Sequence, residues 1–173
     1  MQRTLTYTSL LLLLTFCGKP DPNVNESTGT NELEALEMEE VIPKSEMEFE
    51  DVVYVPIYSD IYIDATNQKS LLAATLSIRN TSYTDSLFIS KIDYFNTDGK
   101  LVRRYLENQI SLRPMATINY VIEREDNSGG SGANFIVKIS AKNSTVKPII
   151  QAIMIGQYGN KGFSFTTDGY SIK

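Results

Sequence analysis

The reactive side chains of this chain limit its chemistry, because its 173 residues include one cysteine, Cys17, and no histidine. Without histidine, neither a Ser-His-Asp triad, nor a Cys-His pair, nor an imidazole metal site can form. Carboxylates remain, and they could serve as the acid and nucleophile of a glycosidase or as oxygen ligands of Ca²⁺.

One carboxylate cluster precedes a glycine-rich run. Glu123, Glu125 and Asp126 lie close together, and Asp126 with Asn127 could offer oxygen ligands to Ca²⁺. However, the spacing matches no calcium loop, and Arg124 offsets the negative charge. We therefore expect a solvated strand end, with no catalytic residue, no metal site and no cofactor.

The glycine-rich run itself spans residues 128–132 and contains Gly129, Gly130 and Gly132. Such a run could present backbone N–H groups to an anion. It lacks the G-x-x-x-x-G-K-[ST] pattern, and the alternating residues 135–141 that follow predict a strand rather than a helix. A hairpin loop is the expected structure, and the three glycines stay as candidate ligand contacts.

Three tyrosines recur at every fourth position: Tyr54, Tyr58 and Tyr62. At this spacing, side chains of one strand point the same way. The resulting stripe could stack on sugar rings or fill a partner's groove. Packing at a sheet margin, with the hydroxyl groups in water, is the alternative that we favour.

Cys17 ends an apolar run in the layout of a bacterial lipoprotein signal, with Arg3 before an apolar stretch at residues 10–14. We expect a signal peptide at residues 1–16, acylation of Cys17 and attachment to a membrane of the bacterial cell envelope, periplasm-facing or at the outer membrane. Phe16 departs from the small residues usual before a cleavage site. An ordinary signal peptide with an incidental cysteine therefore stays open.

The composition of residues 17–50 predicts an acidic tether. Residues 18–50 hold ten acidic side chains and two lysines, whereas residues 51–173 hold eleven acidic and thirteen basic side chains. Residues 33–41 could form a short amphipathic helix, although helices of this length are marginal alone. Neither part has the basic excess that binding to nucleic acid requires.

From Val52 onward, apolar and polar residues alternate with the period of half-buried strands. The clearest alternations cover residues 72–79, 88–94, 116–123 and 135–141. Residues 148–154 are apolar on both faces, which predicts a central strand covered on both sides. Residues 96–99, Asn-Thr-Asp-Gly, predict a hairpin with a type I′ turn.

About eight strands without crossover helices predict an all-β fold for residues 51–173, an antiparallel β-sandwich with immunoglobulin-like layers. Several runs in this region resemble an uncharacterised family of bacterial envelope domains, a domain of unknown function often found on lipoproteins. The runs are VYVPIYS at 53–59, ATLSIRNT at 74–81, GKLVRRY at 99–105, SGGSGANF at 128–135 and AIMIG at 152–156. The resemblance implies no activity and no site residues.

Together these features predict a lipid-anchored envelope protein whose β-sandwich binds or supports an unidentified envelope protein or glycan. We expect no enzyme. Two alternatives stay open. A carboxylate-based carbohydrate-active hydrolase would need two carboxylates about 5 to 10 Å apart in one cleft. A small-molecule or ion carrier would need an enclosed pocket.

Overall fold

The computed structural model describes residues 42–66 and 68–173, which form one 3₁₀ turn, Lys44–Glu46, and eleven strands. The strands are β1 (Phe49–Pro56), β2 (Asp60–Tyr62), β3 (Lys69–Arg79), β4 (Leu87–Phe95), β5 (Leu101–Arg104), β6 (Ile110–Leu112), β7 (Thr117–Ile122), β8 (Asn134–Ala141), β9 (Ile149–Tyr158), β10 (Lys161–Asp168) and β11 (Tyr170–Ser171). No helix in this part of the chain is long and apolar enough to cross a membrane.

The strands form two antiparallel sheets around one core. The first sheet has the order β11-β1-β8-β4, with β5 and β6 both paired to the outer edge of β4. The second has the order β10-β9-β3, with β2 and β7 sharing the other edge of β3. The predicted all-β antiparallel sandwich is confirmed, with eleven strands rather than about eight. The additional strands, such as β2, β6 and β11, are two or three residues long, too short to show an alternation.

The core forms where the alternating residues of the two sheets face each other. On β3, Leu72, Leu76 and Ile78 are all fully buried, as the alternation predicts. Phe135 on β8 and Ile92 on β4 face them from the first sheet and are also fully buried. Each such side chain contributes about 1.5 to 3 kcal/mol through its burial, so the alternating pattern is the main source of stability.

Strand β4 departs from the predicted alternation at one point. Its register against β8 shifts between Ile89 and Lys91, and such a shift marks a β-bulge. Ile89 therefore points into the core, whereas Phe88 pairs with Ser140 on the opposite, outer side of the sheet. The alternation predicted over residues 88–94 is therefore interrupted at the bulge, because an extra residue reverses the parity of a strand.

Strand β9 is central, as predicted for residues 148–154, since it pairs with β3 on one side and β10 on the other. Only one of its faces is buried, however. Ile149 and Ile155 on the other face are 46% and 56% exposed. The prediction of a strand covered on both faces was wrong in the described part of the chain, because an antiparallel sheet can leave one side to solvent.

The β4–β5 hairpin forms where residues 96–99 predict it. The predicted type I′ turn was wrong, because in this turn only Gly99 has a positive φ, +73°. The Asn96 carbonyl accepts from Gly99 N at 2.9 Å, and its side-chain oxygen accepts from Asp98 N and Lys100 N. These bonds describe a type I turn followed by a glycine bulge, which a three-residue hairpin loop favours.

The described chain begins on the first sheet, before β1. Ile42 N donates to Gln109 Oε1 at 3.2 Å, and Glu48 N donates to the Ala141 carbonyl at 3.1 Å. Strand β1 starts at Phe49, slightly ahead of the boundary predicted at residue 51. Cys17 and the candidate helix at residues 33–41 lie outside the described residues.

Candidate functional site

The three candidate tyrosines do not form one stripe. Tyr54 lies on β1, on the side opposite the core residues Val53 and Val55, and faces Tyr170 across the strand pair. The chain leaves β1 at Pro56 and enters the second sheet, where Tyr62 is 55% exposed beneath the Lys69 ammonium.

Tyr58 lies on the connection between the two sheets and packs edge-on against Phe165, with 5.9 Å between the ring centroids. The stripe interpretation was wrong, because it required a single strand through all three tyrosines. Tyr58 is half-buried where the chain passes from one sheet to the other.

The glycine-rich run links β7 of the second sheet to β8 of the first, so the prediction of a hairpin loop was wrong. Two other segments hold it by hydrogen bonds. Ser59 N donates to the Gly130 carbonyl at 3.0 Å, and Thr97 N donates to the Gly129 carbonyl at 2.9 Å. Gly132 N donates to Thr97 Oγ1 at 2.9 Å. The run is therefore a crossover between the two sheets, held in place by these hydrogen bonds at one end of the sandwich.

Gly129 lies at the point of closest approach in this crossover. A Cβ atom on Gly129 would lie 1.9 Å from Tyr94 Oη and 2.7 Å from Ser59 Oγ. These two hydroxyl groups are buried and hydrogen-bonded to each other at 2.8 Å. Burial raises the pKa of the Tyr94 hydroxyl above its usual value, so Tyr94 acts here as a neutral hydrogen-bonding group.

Asp126 braces the start of the crossover. Its Oδ1 accepts hydrogen bonds from Ser128 N, at 3.1 Å, and from Ser128 Oγ, while Oδ2 lies 3.2 Å from the Arg103 guanidinium. Partial burial raises the pKa of this carboxyl, but the bonds from Ser128 and the charge of Arg103 outweigh that effect and hold the pKa below its usual value. Asp126 is therefore ionised at neutral pH.

The other members of the predicted carboxylate cluster lie apart from this brace. Glu123, Glu125 and Asn127 are exposed, and Asn127 N donates to the Glu125 carbonyl at 3.2 Å. Within residues 42–66 and 68–173, no three Asp, Glu, His or Cys side chains come together as metal ligands.

The polar partners at this end of the sandwich were not found from the sequence. Arg103 contacts Asp126 and also donates to Tyr105 Oη at 3.3 Å. Tyr105 packs edge-on against Tyr120, with 5.1 Å between the ring centroids. Ser59 and Tyr94 are separated by 35 positions, and no local signal marks such a pair.

The outer surface of the second sheet has a different character. Val121, Thr75, Ile153 and Thr166 lie directly opposite one another across β7, β3, β9 and β10, and Ala73 and Ile155 lie side by side in the next row. Directly opposed residues share a face. We call these six residues the uncharged face, on which Val121 and Ile155 are each 56% exposed.

Charges surround the uncharged face without entering it. The charged side chains with outward parity lie at or just beyond strand ends: Asp60, Lys69, Arg79, Glu123 and Asp168. The outer side of the first sheet differs, because Asp93 pairs there with Lys91 at 3.3 Å and with Arg104 at 3.9 Å. The two outer surfaces of the sandwich therefore offer distinct chemistry.

A third feature is an open depression where the two sheets meet. Its volume is about 280 Å³, and its lining includes Phe49, Val53, Val146 and Ile150. Asp51 also lines it and accepts a hydrogen bond from Ser171 Oγ at 2.7 Å. We call this depression the seam cavity.

Comparison with known proteins places residues 50–172 in a family described as a protein of unknown function, DUF3124. No curated protein matches the chain. Among solved structures, the chain is similar to Thermotoga maritima 1070, with 15% sequence identity and a TM-score of 0.42, over 72% of this chain and 96% of that chain. A similarity at this level carries no functional argument.

Proposed function

The chain belongs to the DUF3124 family of proteins of unknown function, and we propose that it is a lipid-anchored binding module of the bacterial cell envelope. In this proposal, acyl chains on Cys17 hold it at a membrane, and its β-sandwich binds another envelope protein. The observation that carries the binding role is the uncharged face, which leaves Val121 and Ile155 more than half exposed.

The composition of the uncharged face favours a protein partner. Charged residues are depleted at the centres of protein interfaces, and contiguous exposed apolar patches mark interaction sites. Sugar rings, by contrast, stack on aromatic side chains, and this face is built from aliphatic and threonine side chains such as Ile153 and Thr75. A protein is therefore favoured over a glycan.

The geometry of Asp126 disfavours the glycosidase alternative. A general acid of such an enzyme needs a raised pKa at neutral pH, whereas the pKa of Asp126 is lowered. Its oxygens are also occupied by Ser128 and Arg103. These contacts support a structural role for this carboxylate.

The second candidate function, carriage of a small apolar molecule, would need an enclosed pocket, whereas the seam cavity is an open depression. Its volume of about 280 Å³ lies at the lower limit of small-molecule sites, roughly 300 to 1,000 Å³. A short acyl chain is the chemistry that Val53, Val146 and Ile150 would accept. Calorimetric titration with short-chain fatty acids tests it, and the absence of saturable heat would eliminate it.

Replacing Cys17 with alanine tests the anchoring half of the proposal. The wild-type protein is expected to incorporate labelled palmitate and to sediment with membranes. Cys17→Ala should lose the label, because Cys17 is the only cysteine of the chain. It should also move to the soluble fraction, because two or more acyl chains supply a stable anchor.

Ser9→Ala is the control for this experiment, since it is a neutral change in the same region and should keep both the label and the membrane association. A Cys17→Ala protein that stays membrane-bound would contradict the proposal.

Photo-crosslinking tests the binding half. A photoreactive amino acid at Val121 should give a discrete heteromeric adduct in native envelopes, because this side chain lies at the uncharged face. Leu101 is the matched control, since it is also an exposed aliphatic residue, 42% exposed, but belongs to the first sheet. Equal adduct yields at Val121 and Leu101 would show that the uncharged face has no special role.

A further inference from the structure

The open edge of β10 is a backbone surface distinct from the lipid anchor, and it shares one residue, Thr166, with the uncharged face. Strand β10 pairs with β9 over eight consecutive residue pairs, from Lys161 with Tyr158 to Asp168 with Gln151, without a register shift. Within residues 42–66 and 68–173, no strand pairs with its other edge. The second sheet therefore ends in a long and regular strand.

The hairpin that joins β9 to β10 determines which backbone groups point outward. Tyr158 and Lys161 flank a two-residue turn in which Gly159 has a φ of +58°. The flanking pair of such a hairpin is hydrogen-bonded, and the bonded pairs then alternate along the strands. The N–H and C=O groups that face away from β9 are consequently those of Gly162, Ser164, Thr166 and Asp168, all of which are exposed residues.

The β10 edge lacks the usual protection against strand pairing. Sheets protect their edges with short strands, proline, bulges or inward-pointing charges. Strand β10 contains eight residues and no proline, and its inward side between the two ends carries Phe163, Phe165 and Thr167. The other edge strands of the described chain are shorter, from two residues in β11 to six in β7.

We propose that the β10 edge pairs antiparallel with the β10 edge of a second copy of this chain. A two-fold axis at Phe165 would place Ser164 opposite Thr166 of the second copy and Gly162 opposite Asp168 of the second copy. This register keeps inward side chains together and outward side chains together, as a shared sheet requires. It forms about eight backbone hydrogen bonds from groups that otherwise face solvent.

Charge complementarity favours a second copy in this orientation. Strand β10 begins with Lys161 and ends with Asp168. Antiparallel pairing brings the Lys161 end of each copy near the Asp168 end of the other, although the two side chains lie on opposite faces of the sheet. The attraction therefore acts between strand ends and not as a direct ion pair, whereas parallel pairing would align like charges. The uncharged sequence between the two ends offers no repulsion, so the strand is complementary to itself.

Amide hydrogen exchange of the full-length chain in detergent, measured by NMR, tests the pairing. The protein concentration should be varied between about 5 and about 200 μM, because an edge contact is small and the dimer is therefore expected to be weak. The amides of Gly162, Ser164, Thr166 and Asp168 should exchange about tenfold more slowly at the higher concentration. Sedimentation over the same range should show conversion of monomer to dimer. Concentration-independent exchange, or protected amides in a chain that stays monomeric, would overturn the proposal.

Ser164→Pro should disrupt the dimer without disrupting the fold, because proline is tolerated where a strand N–H faces solvent. The variant should still unfold cooperatively. The exchange rates of the amides of Gly162, Thr166 and Asp168 should no longer depend on protein concentration. Ser164→Thr keeps the N–H and should behave as wild type. Thr166→Lys is a second disrupting variant, since it adds a charge at the edge without changing the backbone. A dimer that survives in either folded disrupting variant would contradict the proposed register.

Discussion

Replacing Asn80 with aspartate is expected to lower the free energy of unfolding by more than about 4 kcal/mol at pH 7. Asn80 follows β3 and is 2% exposed. Its Nδ2 lies 2.8, 3.0 and 3.1 Å from the carbonyl oxygens of Asp85, Leu112 and Arg113. An aspartate would direct a charged oxygen at these three carbonyls and would remove the N–H groups that join the ends of three segments.

The loss of stability caused by Asn80→Asp should increase as the pH rises. Burial and facing carbonyl groups raise the pKa of the introduced carboxyl in the folded state. Stability relative to wild type should therefore be highest below the unfolded-state pKa of about 3.9 and should fall as the pH rises toward the folded-state value. A protonated carboxyl can still donate one hydrogen bond, which explains the partial recovery in acid.

Chemical denaturation at several pH values measures this effect. Asn80→Ala is the neutral comparison, with an expected loss of about 3 kcal/mol, because it leaves the same backbone groups without their partner but adds no charge. Asn119→Asp is the exposed control and should stay within about 0.5 kcal/mol of wild type. A loss below about 1 kcal/mol for Asn80→Asp at pH 7 would show that this network is not important for folding.

Gly129→Ala is expected to cost about 3 kcal/mol of stability through overpacking. The added methyl group would lie 1.9 Å from Tyr94 Oη and 2.8 Å from Ala133 Cβ. Tyr94 cannot move away easily, because it is fully buried and its ring packs 5.3 Å from that of Phe135. The crossover backbone would therefore shift and weaken the bonds from Ser59 and Thr97.

Gly132→Ala is the matched control in the same run. Its added methyl group would lie 3.2 Å from Thr97 Cγ2, a contact that a shift of a few tenths of an ångström relieves, and the expected loss is below about 1 kcal/mol. In the Gly129→Ala background, Tyr94→Phe should recover part of the lost stability, since it removes the closest atom. Thermal denaturation of the single and double variants measures both effects. Equal stability of Gly129→Ala and Gly132→Ala would contradict the close packing at Gly129.

These two positions show how the domain is closed at its ends. Asn80 ties together the end of β3, the start of β4 and the β6–β7 connection. Gly129, which has no side chain, allows the crossover to pack against the buried hydroxyl groups of Tyr94 and Ser59. A sandwich closed in this way leaves its outer faces and its open edge as the surfaces available for binding.

The sequence by itself determined the fold class and the core of the central strands. Leu72 and Ile78 could be assigned to the core from alternation alone, because strand parity is a local property of the chain. The local pattern failed at Phe88, where a bulge changes the parity, and at residues 148–154, where apolar residues on both faces did not mean that both faces are covered. Those properties depend on the neighbouring strand, so the local pattern does not contain them.

The tertiary structure alone decided which residues meet at the candidate sites. Asp126 lies 23 positions from Arg103, and Thr97 lies 35 positions from Gly132, so their partnerships depend on strand order. The uncharged face likewise arises from pairing of strands distant in sequence, and the β10 edge is open because no strand of residues 42–66 and 68–173 pairs with it. Alternation along a strand separates its two sides, but only the order of strands in the sheets determines which side chains become neighbours and which edge is left unpaired.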